Sequence, residues 1–509
     1  MNIERWGLFE YRLNSPTQYE NPFRDVTLTA AFTCEAGTKT VEGFYDGDDT
    51  WVIRFMPEHL GTYSFQTASS DSALDRRTGS FVCISPSAGN HGPVHVDKQY
   101  HFSYADGTPF FPLGTTGYGW TYRPEEVRTQ TLTSYRKYGF NKIRMLLTPK
   151  HFEGDDAQGD VMITYEPELY PFEGKRQNFD FSRFVPQYFR DYEQRLLELS
   201  EIGAEADIIL FHTYDFGFFN IDKMDDMQAL YLLRYVVNRF SAFRNVWWSL
   251  ANEYDVCQRI DPRSGKLAVF SVTDLRDWDR LGEYLREHDP YQHPRSIHNY
   301  PNGTIYPDRA WMTHVSYQHP NTYSLLAHLR LLYGKPVIND EYQYEGNVKY
   351  EWGNSSAEEV VFRHWQSFMA GGYATHGEVY KVNGNNRDLF WTYGGTIIGR
   401  SAQRLKFLRE IVETCPFQEM EPFWLCTDGR YYFSRSKGYD DILIFCGEDL
   451  PGKVIYPGNS VTGEYDYHVT VYDAWNCEKT DEYEIDSQTP FHLKKWRVYR
   501  LTRKRTTDT

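Results

Sequence analysis

The chain has little cysteine and no spacing that would use its cysteines in pairs. Seven cysteines occur in 509 residues, and an odd, scattered set without CxxC indicates neither a disulfide framework nor a zinc site. HExxH and 2-His-1-carboxylate spacings are missing as well. We therefore expect no metal and no other cofactor. The cysteines are Cys34, Cys83, Cys257, Cys415, Cys426, Cys446 and Cys477.

Long apolar runs are also missing. No stretch approaches the ~18 apolar residues of a membrane-spanning helix. The opening decapeptide MNIERWGLFE has no apolar segment behind a basic start. These absences predict a cytoplasmic protein without a membrane span, although a chain whose signal peptide had been removed would give the same pattern.

Positive charge is in short supply. Lys and Arg number 54 against 70 Asp and Glu, for a net charge of -16, whereas nucleic acids and anionic membranes are bound by clustered cations. The basic concentration at residues 494–505 is short and terminal, and such a run is usually only solvated. Nucleic acid and membrane partners are therefore disfavoured. A neutral glycan suits the charge better, and a homo-oligomer stays open.

Aromatic residues, in contrast, are abundant at 17% of the chain. Large rings usually fill cores and domain interfaces, because they dominate the area buried there. A ring near a sugar site can also stack on the apolar face of a sugar. Trp120 and Trp391 are candidates for such a platform, with core packing as the alternative for both.

The stretch NVWWSLANEYD, from Asn245 to Asp255, joins an apolar run to a polar turn. A strand buried on both faces has a nearly unbroken apolar sequence, and here Asn252 and Glu253 come at its end. In a (β/α)8 barrel the C-terminal ends of the strands carry catalytic groups, because the loops there surround a common mouth. The polar pair is therefore a candidate for catalysis.

The stretch GKPVINDEYQYEG, from Gly334 to Gly346, repeats this design with Glu341 after an apolar strand. Two carboxyl groups from two strands of one barrel would face each other across the mouth. A retaining glycosidase needs this arrangement, with one acid protonating the leaving oxygen and one carboxylate, about 5 to 5.5 Å away, attacking the anomeric carbon. Glu345 competes with Glu341 for the second role. Asp340 should point the other way by strand alternation.

Both stretches resemble the fourth and seventh strands of the clan A glycoside hydrolases. Three further segments resemble bacterial apiosidase-like proteins: YENPFRDV (Tyr19 to Val26), GFYDGDDTWVIRFMP (Gly43 to Pro57) and FSYADGTPFFPLGTTGYGW (Phe102 to Trp120). The resemblance implies an N-terminal β-sandwich, a barrel and a small C-terminal β domain, and hence a glycoside hydrolase. It does not specify the sugar, since members of such families act on different ones.

The order of patterns along the chain predicts the same three domains. Short alternating runs over residues 1–90 predict a β-sandwich, and residues 415–509 are typical of an antiparallel β-sandwich-like domain. Alternating strands and helices over residues 91–414 predict an α/β fold, a (β/α)8 TIM barrel. In the helix at residues 226–240, Arg234 and Arg239 are expected on the solvated face. The first barrel strand and its loop are predicted at 109–119, and the second, third, fifth, sixth and eighth strands are predicted at 141–148, 205–212, 295–300, 312–318 and 373–380.

The resemblance also implies roles for single residues. Glu253 would be the general acid/base and Glu341 the nucleophile. Asn252 would hydrogen-bond the sugar hydroxyl next to the reacting carbon, unless it caps a helix or an Asx turn. Arg144 on the second strand would keep the nucleophile ionised, or form a structural salt bridge elsewhere. Tyr317 at the end of the sixth strand would hydrogen-bond the nucleophile, or merely pack.

Three histidines lie on predicted barrel strands: His212 on the third, His298 on the fifth and His376 on the eighth. One imidazole ring can both donate and accept a hydrogen bond, so we expect these rings among the substrate-binding residues. Their scatter could also suggest a metal site, but the spacing does not support one.

Three functions are compatible with these patterns. The first is a retaining glycoside hydrolase that cleaves a neutral glycoside or oligosaccharide. The second is a carbohydrate-binding protein without catalysis, which the paired glutamates argue against because binding alone needs no such pair. The third is a metal-dependent barrel hydrolase, which the effect of chelation would separate from the first.

Overall fold

The computed structural model of the chain describes residues 1–152, 165–215, 218–260, 267–271, 276–301, 303–381, 389–423, 428, 431–449, 454–455, 465–486, 489 and 491–504. Within them, eight parallel strands form a nearly closed barrel, with further sheets before and after it in the chain. The predicted (β/α)8 barrel with flanking N-terminal and C-terminal β regions is confirmed.

The barrel strands are numbered in chain order. They are β1 (Gly114–Thr116), β2 (Lys142–Leu146), β3 (Glu205–His212), β4 (Val246–Asn252), β5 (Arg295–Ser296), β6 (Val315–Gln318), β7 (Val337–Glu341) and β8 (Tyr373–His376). Their order around the sheet is β5-β4-β3-β2-β1-β8-β7-β6. Every residue of β3 and β4 is buried, as an unbroken apolar sequence predicts for strands covered on both faces.

Helices follow these strands along the chain, although the described residues between β5 and β6 contain none and two helices follow β8. They are α1 (Glu125–Tyr138), α2 (Pro186–Glu201), α3 (Asp226–Phe240), α4 (Trp278–His288), α5 (Ser324–Tyr333), α6 (Ala357–Met369), α7 (Phe390–Tyr393) and α8 (Ser401–Glu413). Asp225 and Ser356 form capping boxes at α3 and α6, which satisfy N–H groups that a helix start leaves unpaired. None of the described helices is long and apolar enough to cross a membrane.

Five barrel strands, β1, β2, β5, β6 and β8, are shorter than their sequence patterns predict. Pro109–Phe110 pairs with His101–Tyr104 outside the barrel, so β1 keeps only part of the predicted stretch. Strands β5 and β8 end four residues before the predicted Tyr300 and Tyr380. Beyond these ends the chain leaves the sheet and builds the loops at the mouth of the barrel.

Two sheets pack face to face before the barrel, with Phe32 and Phe55 stacked between them at a ring-centroid distance of 4.0 Å. One sheet contains, in order, Asn2–Glu4, Thr78–Ile84, Gly61–Ser69, Leu28–Cys34 and Gly37–Glu42. The other contains Phe9–Asn14, Thr50–Phe55 and Phe44–Tyr45. The rings and aliphatic side chains between the sheets form a separate hydrophobic core, which makes this region a β-sandwich.

The C-terminal region contains one six-stranded sheet with its own apolar core. Its strands, in order, are Glu421–Pro422, Tyr432–Lys437, Asp441–Cys446, Arg497–Arg503, Tyr467–Asp473 and Glu478–Ile485. Val454–Ile455 and Phe491–His492 form a separate two-stranded sheet. The prediction of antiparallel strands here is confirmed.

The N-terminal sandwich meets the barrel through a buried cluster of charges. Arg239 of α3 is fully buried; it pairs with Asp46 of the sandwich at 2.8 Å and with Glu193 of α2 at 2.7 Å. Arg54 of the sandwich donates to the same Glu193 at 2.8 Å. The prediction of a solvated Arg239 is therefore wrong, because carboxylates from two domains converge on it. Arg234 has the predicted exposed position.

Replacing Arg239 by methionine should lower the free energy of unfolding by about 3 kcal/mol, because removing one partner leaves buried carboxylates without their full compensation. Arg234→Met on the same helix is the matched control. Its exposed pair with Glu42, 2.9 Å long, should contribute less than about 1 kcal/mol. Chemical denaturation of both variants measures the difference, and equal losses would show that the buried pairs add nothing beyond a surface pair.

Candidate active site

A cavity of about 330 Å³ opens at the C-terminal ends of the barrel strands. Both predicted catalytic carboxyl groups, from the ends of β4 and β7, line it. A wall of aromatic rings and several polar groups complete the lining. The lining residues are Tyr118, Lys150, His151, Phe152, Tyr214, Asn252, Glu253, Tyr300, Pro301, Gln318, Glu341, Gln343, Tyr344, Trp352 and Trp391.

Glu253 follows β4 directly and is only 7% exposed. Its φ of 50° lies in the left-handed region, a conformation that costs a residue with a side chain about 1 to 3 kcal/mol. Burial and the charge of Glu341 raise the pKa of Glu253 to about 8, although Tyr214 and Lys150 act in the opposite direction. At neutral pH the carboxyl is therefore mostly protonated, which is the state of a general acid.

Glu341 ends β7 and has different electrostatic surroundings. Burial raises the pKa of Glu341, but the Arg144 guanidinium and the hydroxyls of Tyr118 and Tyr344 oppose that rise. Arg144 Nη2 lies 3.9 Å from Glu341 Oε1. These groups stabilise the ionised form of Glu341, which is the form that a nucleophile needs. Two carboxyls kept in different protonation states are the basis for assigning acid and nucleophile.

A cluster of buried charges lies inside the barrel beneath Glu341. Arg144 Nη1 is 3.1 Å from Asp340, and Lys142 pairs with Asp340 at 3.0 Å and with Asp207 at 2.5 Å. Arg144 is thus closer to Asp340 than to Glu341, so the structural salt bridge and the contact with the candidate nucleophile coexist. Asp340 points into this cluster, as strand alternation predicts.

Asn252 is anchored beside the two carboxyls. Its Oδ1 accepts a hydrogen bond from Arg144 Nη2 at 2.9 Å and lies 3.4 Å from the Tyr118 hydroxyl. The side-chain oxygen is therefore held by the guanidinium, and the amide nitrogen lies on the cavity side, 3.5 Å from the Tyr214 hydroxyl. This orientation leaves an N–H donor for a substrate oxygen.

Tyr118 contacts the candidate nucleophile in place of the predicted Tyr317. The hydroxyl of Tyr118, in the loop after β1, donates to Glu341 Oε1 in a short hydrogen bond. Tyr317 is buried and its hydroxyl donates to Asn321 O at 3.3 Å. A register shift between Tyr317 and Gln318 in the pairing of β6 with β7 brings Gln318 to the cavity. The prediction for Tyr317 is therefore wrong, and packing was the correct alternative.

Gln318 is a site residue that sequence reasoning missed. Its side-chain amide nitrogen lies 3.1 Å from Glu253 Oε1, 3.1 Å from His298 Nε2 and 3.1 Å from Asn299 O when the amide is oriented to donate. The reverse orientation would set its oxygen against three acceptors. Gln318 thereby connects the acid/base candidate to His298.

The three predicted histidines lie near the cavity or below it without lining it. His298 Nε2 is 3.6 Å from Glu341 Oε1, and its Nδ1 is 3.0 Å from the Ser316 hydroxyl. His212 Nδ1 lies 3.2 Å from Tyr214 O and its Nε2 lies 3.4 Å from Pro149 O. His376 stacks on Phe140 and bonds the Thr115 hydroxyl at 2.9 Å. Of these three histidines, only His298 therefore contacts a candidate catalytic group, and it does so from outside the cavity lining.

Of the two predicted stacking rings, Trp391 lines the cavity and Trp120 does not. Trp120 is fully buried and packs edge-on against Tyr135. Trp391 lies beside Tyr118 and Phe152, each at a centroid distance of 5.3 Å. Its Nε1 is buried without an acceptor in the described part of the chain. Trp391 therefore remains the candidate for a stacking ring at the cavity.

Glu345, the alternative nucleophile, is engaged elsewhere. Its carboxylate accepts from the Arg400 and Ser401 N–H groups at 2.8 and 2.9 Å, at the start of α8. The Tyr380 hydroxyl donates to it at 3.0 Å. A carboxylate at a helix N-terminus stabilises the helix, and Glu345 does not line the cavity. The geometry therefore favours Glu341.

Glu345, His376 and Glu378 are close enough together to be candidate ligands for a metal ion. The Glu378 carboxylate, however, already accepts from the Ile398 and Gly399 N–H groups at 2.8 and 2.6 Å. Burial raises the pKa of Glu378 to about 8. This cluster therefore holds the loop before α8 by hydrogen bonds.

Lys150 lines the cavity although its sequence context gave no signal. Its ammonium lies 4.2 Å from the centre of the Tyr214 ring and 4.5 Å from that of Phe152. Burial lowers the pKa of Lys150 to about 8, while Glu253, Asp215 and Glu341 oppose that effect. A cation thus stands on the Glu253 side of the site.

Comparison with known proteins adds independent information. Residues 96–419 match the family described as "Apiosidase-like, catalytic domain", and residues 2–70 match a domain of unknown function, DUF5060. A search of curated proteins found no match.

Solved structures of glycoside hydrolases resemble the chain. A candidate glycoside hydrolase from Bacteroides vulgatus ATCC 8482 shares 34% identity over 99% of this chain and 100% of that one, with a TM-score of 0.86. A glycoside hydrolase family 5 structure from the same organism shares 17% identity over 81% of this chain and 94% of that one, with a TM-score of 0.58. The second likeness concerns the fold alone.

Proposed function

The chain belongs to the apiosidase-like family of glycoside hydrolases, and from this we propose that it cleaves a neutral glycoside or oligosaccharide with retention of configuration. Glu253 is the general acid/base and Glu341 the nucleophile. The observation that carries the proposal is the pair of buried carboxyls in one cavity, of which Glu341 has the arginine neighbour and Glu253 has the pKa raised to about 8. A double displacement needs one protonated and one ionised carboxyl at the start.

In the first step, the Glu341 carboxylate attacks the anomeric carbon and forms an ester. The bond from that carbon to the leaving oxygen breaks, and the Glu253 proton passes to the leaving oxygen. In the second step, the Glu253 carboxylate takes a proton from water, whose oxygen attacks the same carbon and releases Glu341. Formation of the ester removes the charge of Glu341, so the pKa of Glu253 falls and the residue becomes a base.

Two neighbours assist these steps. Tyr118 donates to Glu341, which orients the carboxylate and keeps it ionised, and it also faces Asn252. The Asn252 amide nitrogen can donate to the sugar hydroxyl next to the reacting carbon, a bond that strengthens as the oxocarbenium-like transition state develops. Both residues therefore act on the glycone side of the scissile bond.

The direct test is a screen of aryl glycosides and of plant and bacterial oligosaccharides with the wild type and Glu253→Gln side by side. Time-resolved NMR of the first product should show the anomer of the substrate. An inverted product would contradict the double displacement. Loss of activity on chelation would instead favour a metal-dependent hydrolase.

The pH dependence of kcat/KM should be bell-shaped. Activity requires protonated Glu253, so the rate should fall as pH rises through its pKa of about 8. Activity also requires ionised Glu341, so the rate should fall as pH drops through a pKa above the ordinary 4.5. An unactivated oligosaccharide should show both limbs, whereas an aryl glycoside with a good leaving group should show a weaker alkaline limb. A profile that stays level to about pH 10 on the oligosaccharide would contradict the acid role.

A further inference from the structure

The aromatic wall of the cavity continues to the protein surface along the loop after β7. We call Tyr344, Trp352 and Tyr350, together with Trp391, the aromatic strip. Tyr344 and Trp391 are nearly parallel at a centroid distance of 5.8 Å, and Trp352 stands edge-on to Trp391 at 5.5 Å. Tyr350 is nearly parallel to Trp352 at 6.0 Å and is 38% exposed. The strip thus runs from a buried ring to an exposed one.

The strip is built on a fixed backbone. Tyr344 N donates to Trp352 O at 2.7 Å, Ser355 N donates to Tyr344 O at 3.1 Å, and Gly353 N donates to Tyr350 O at 3.0 Å. A Cβ at Gly353 would come within 2.6 Å of Val348 and 2.7 Å of Val379, so the turn is closely packed. Trp352 and Tyr350 are therefore positioned by the same strand end that carries Glu341.

The strip begins on the nucleophile's side of the site. The ring of Trp391 in the strip lies 5.3 Å from that of Tyr118, whose hydroxyl donates to Glu341, and Tyr344 follows Glu341 by three residues, whereas Tyr214 and Lys150 neighbour Glu253. The leaving group must lie next to Glu253, because Glu253 protonates its oxygen. The strip therefore extends from the sugar that becomes attached to Glu341, away from the leaving group.

We propose that Trp352 and Tyr350 bind a second sugar on the non-reducing side of the sugar that Glu341 attacks. Aromatic rings present large, rigid apolar area at low entropic cost, which suits the apolar face of a sugar ring. The substrate is thus a glycan chain with at least two sugars on the glycone side, and the enzyme does not act only on a terminal sugar. This inference rests on the proposed function.

The test compares 4-nitrophenyl monoglycosides with 4-nitrophenyl diglycosides of the sugar identified in the screen. The aryl group is the leaving group in both, so only the glycone differs. In the wild type the second sugar should raise kcat/KM by about tenfold or more, the effect of one good contact. Trp352→Ala and Tyr350→Ala should each remove most of this gain, and Tyr350→Ala, which replaces a residue that is 38% exposed and outside the cavity lining, should hydrolyse the monoglycoside nearly as before. Trp352→Phe and Tyr350→Phe, which keep a ring, should restore part of the gain.

The outcomes separate this inference from the function on which it rests. Hydrolysis of neither substrate by the wild type would contradict the proposed glycosidase. Hydrolysis of the monoglycoside without a gain from the second sugar would contradict the second-sugar site and leave the proposed glycosidase standing. An equal loss on both substrates in Tyr350→Ala, without rescue by Tyr350→Phe, would show a structural role and contradict the second-sugar site as well.

Discussion

Replacing Glu341 by glutamine is expected to abolish turnover for every leaving group. Without the carboxylate no glycosyl-enzyme ester can form, and a good leaving group cannot compensate because it assists only the departure of the aglycone. The loss in kcat/KM should be on the order of 10⁴-fold or more. Mass spectrometry of the protein after mixing with an activated aryl glycoside should show no covalent glycosyl adduct.

Glu345→Gln is the matched control for this variant. Glu345 is also buried and also follows β7, but its carboxylate accepts from Arg400 N, Ser401 N and Tyr380. An amide cannot accept as many of these bonds, so the variant should unfold at a lower temperature while the folded fraction keeps its kcat. If Glu345→Gln loses turnover and Glu341→Gln retains it, the assignment of the nucleophile is wrong.

Glu253→Ala should slow unactivated substrates much more than activated ones, whereas Glu341→Gln should abolish turnover of both. An unactivated glycoside needs a proton on its leaving oxygen, and its kcat/KM should fall by about 10²- to 10⁴-fold. An activated aryl glycoside needs no such proton, so the glycosyl-enzyme should still form and then accumulate because no base activates water. Azide fits the space left by the carboxyl and requires no base.

Added azide should therefore speed breakdown of the intermediate and give a glycosyl azide of retained configuration, which NMR identifies. Glu253→Gln is the companion variant, since it keeps the volume of the side chain and should respond less to azide. Equal losses on activated and unactivated substrates, without azide rescue, would remove Glu253 from the acid/base role.

The sequence predicted the position of a residue correctly where that position depends on the residues next to it in the chain. Glu253 and Glu341 each follow an apolar run typical of a strand covered on both faces, and the barrel brings such strand ends to one mouth. Both therefore lie in the cavity. Asn252, the last residue of β4, and Trp391, in α7, also line it.

Predictions failed where the direction of a side chain depends on residues that are distant in the sequence. Tyr317 and Gln318 are adjacent in sequence, and a register shift between β6 and β7 decides which of them faces the cavity. Tyr118 reaches Glu341 from the loop after β1, a contact that no periodicity predicts. The sequence pattern assigns Arg239 to the polar face of its helix, but Arg239 is buried, because carboxylates from two other elements pair with it.

The charge cluster between sandwich and barrel has a consequence for how this protein can evolve. Asp46 and Arg54 come from the sandwich, while Glu193 and Arg239 come from the barrel. A recombination event that joined either domain to an unmatched partner would leave ionised side chains buried without counter-charges, at a cost of several kcal/mol. The two domains should therefore be inherited together, and changes at these four positions should be correlated among relatives.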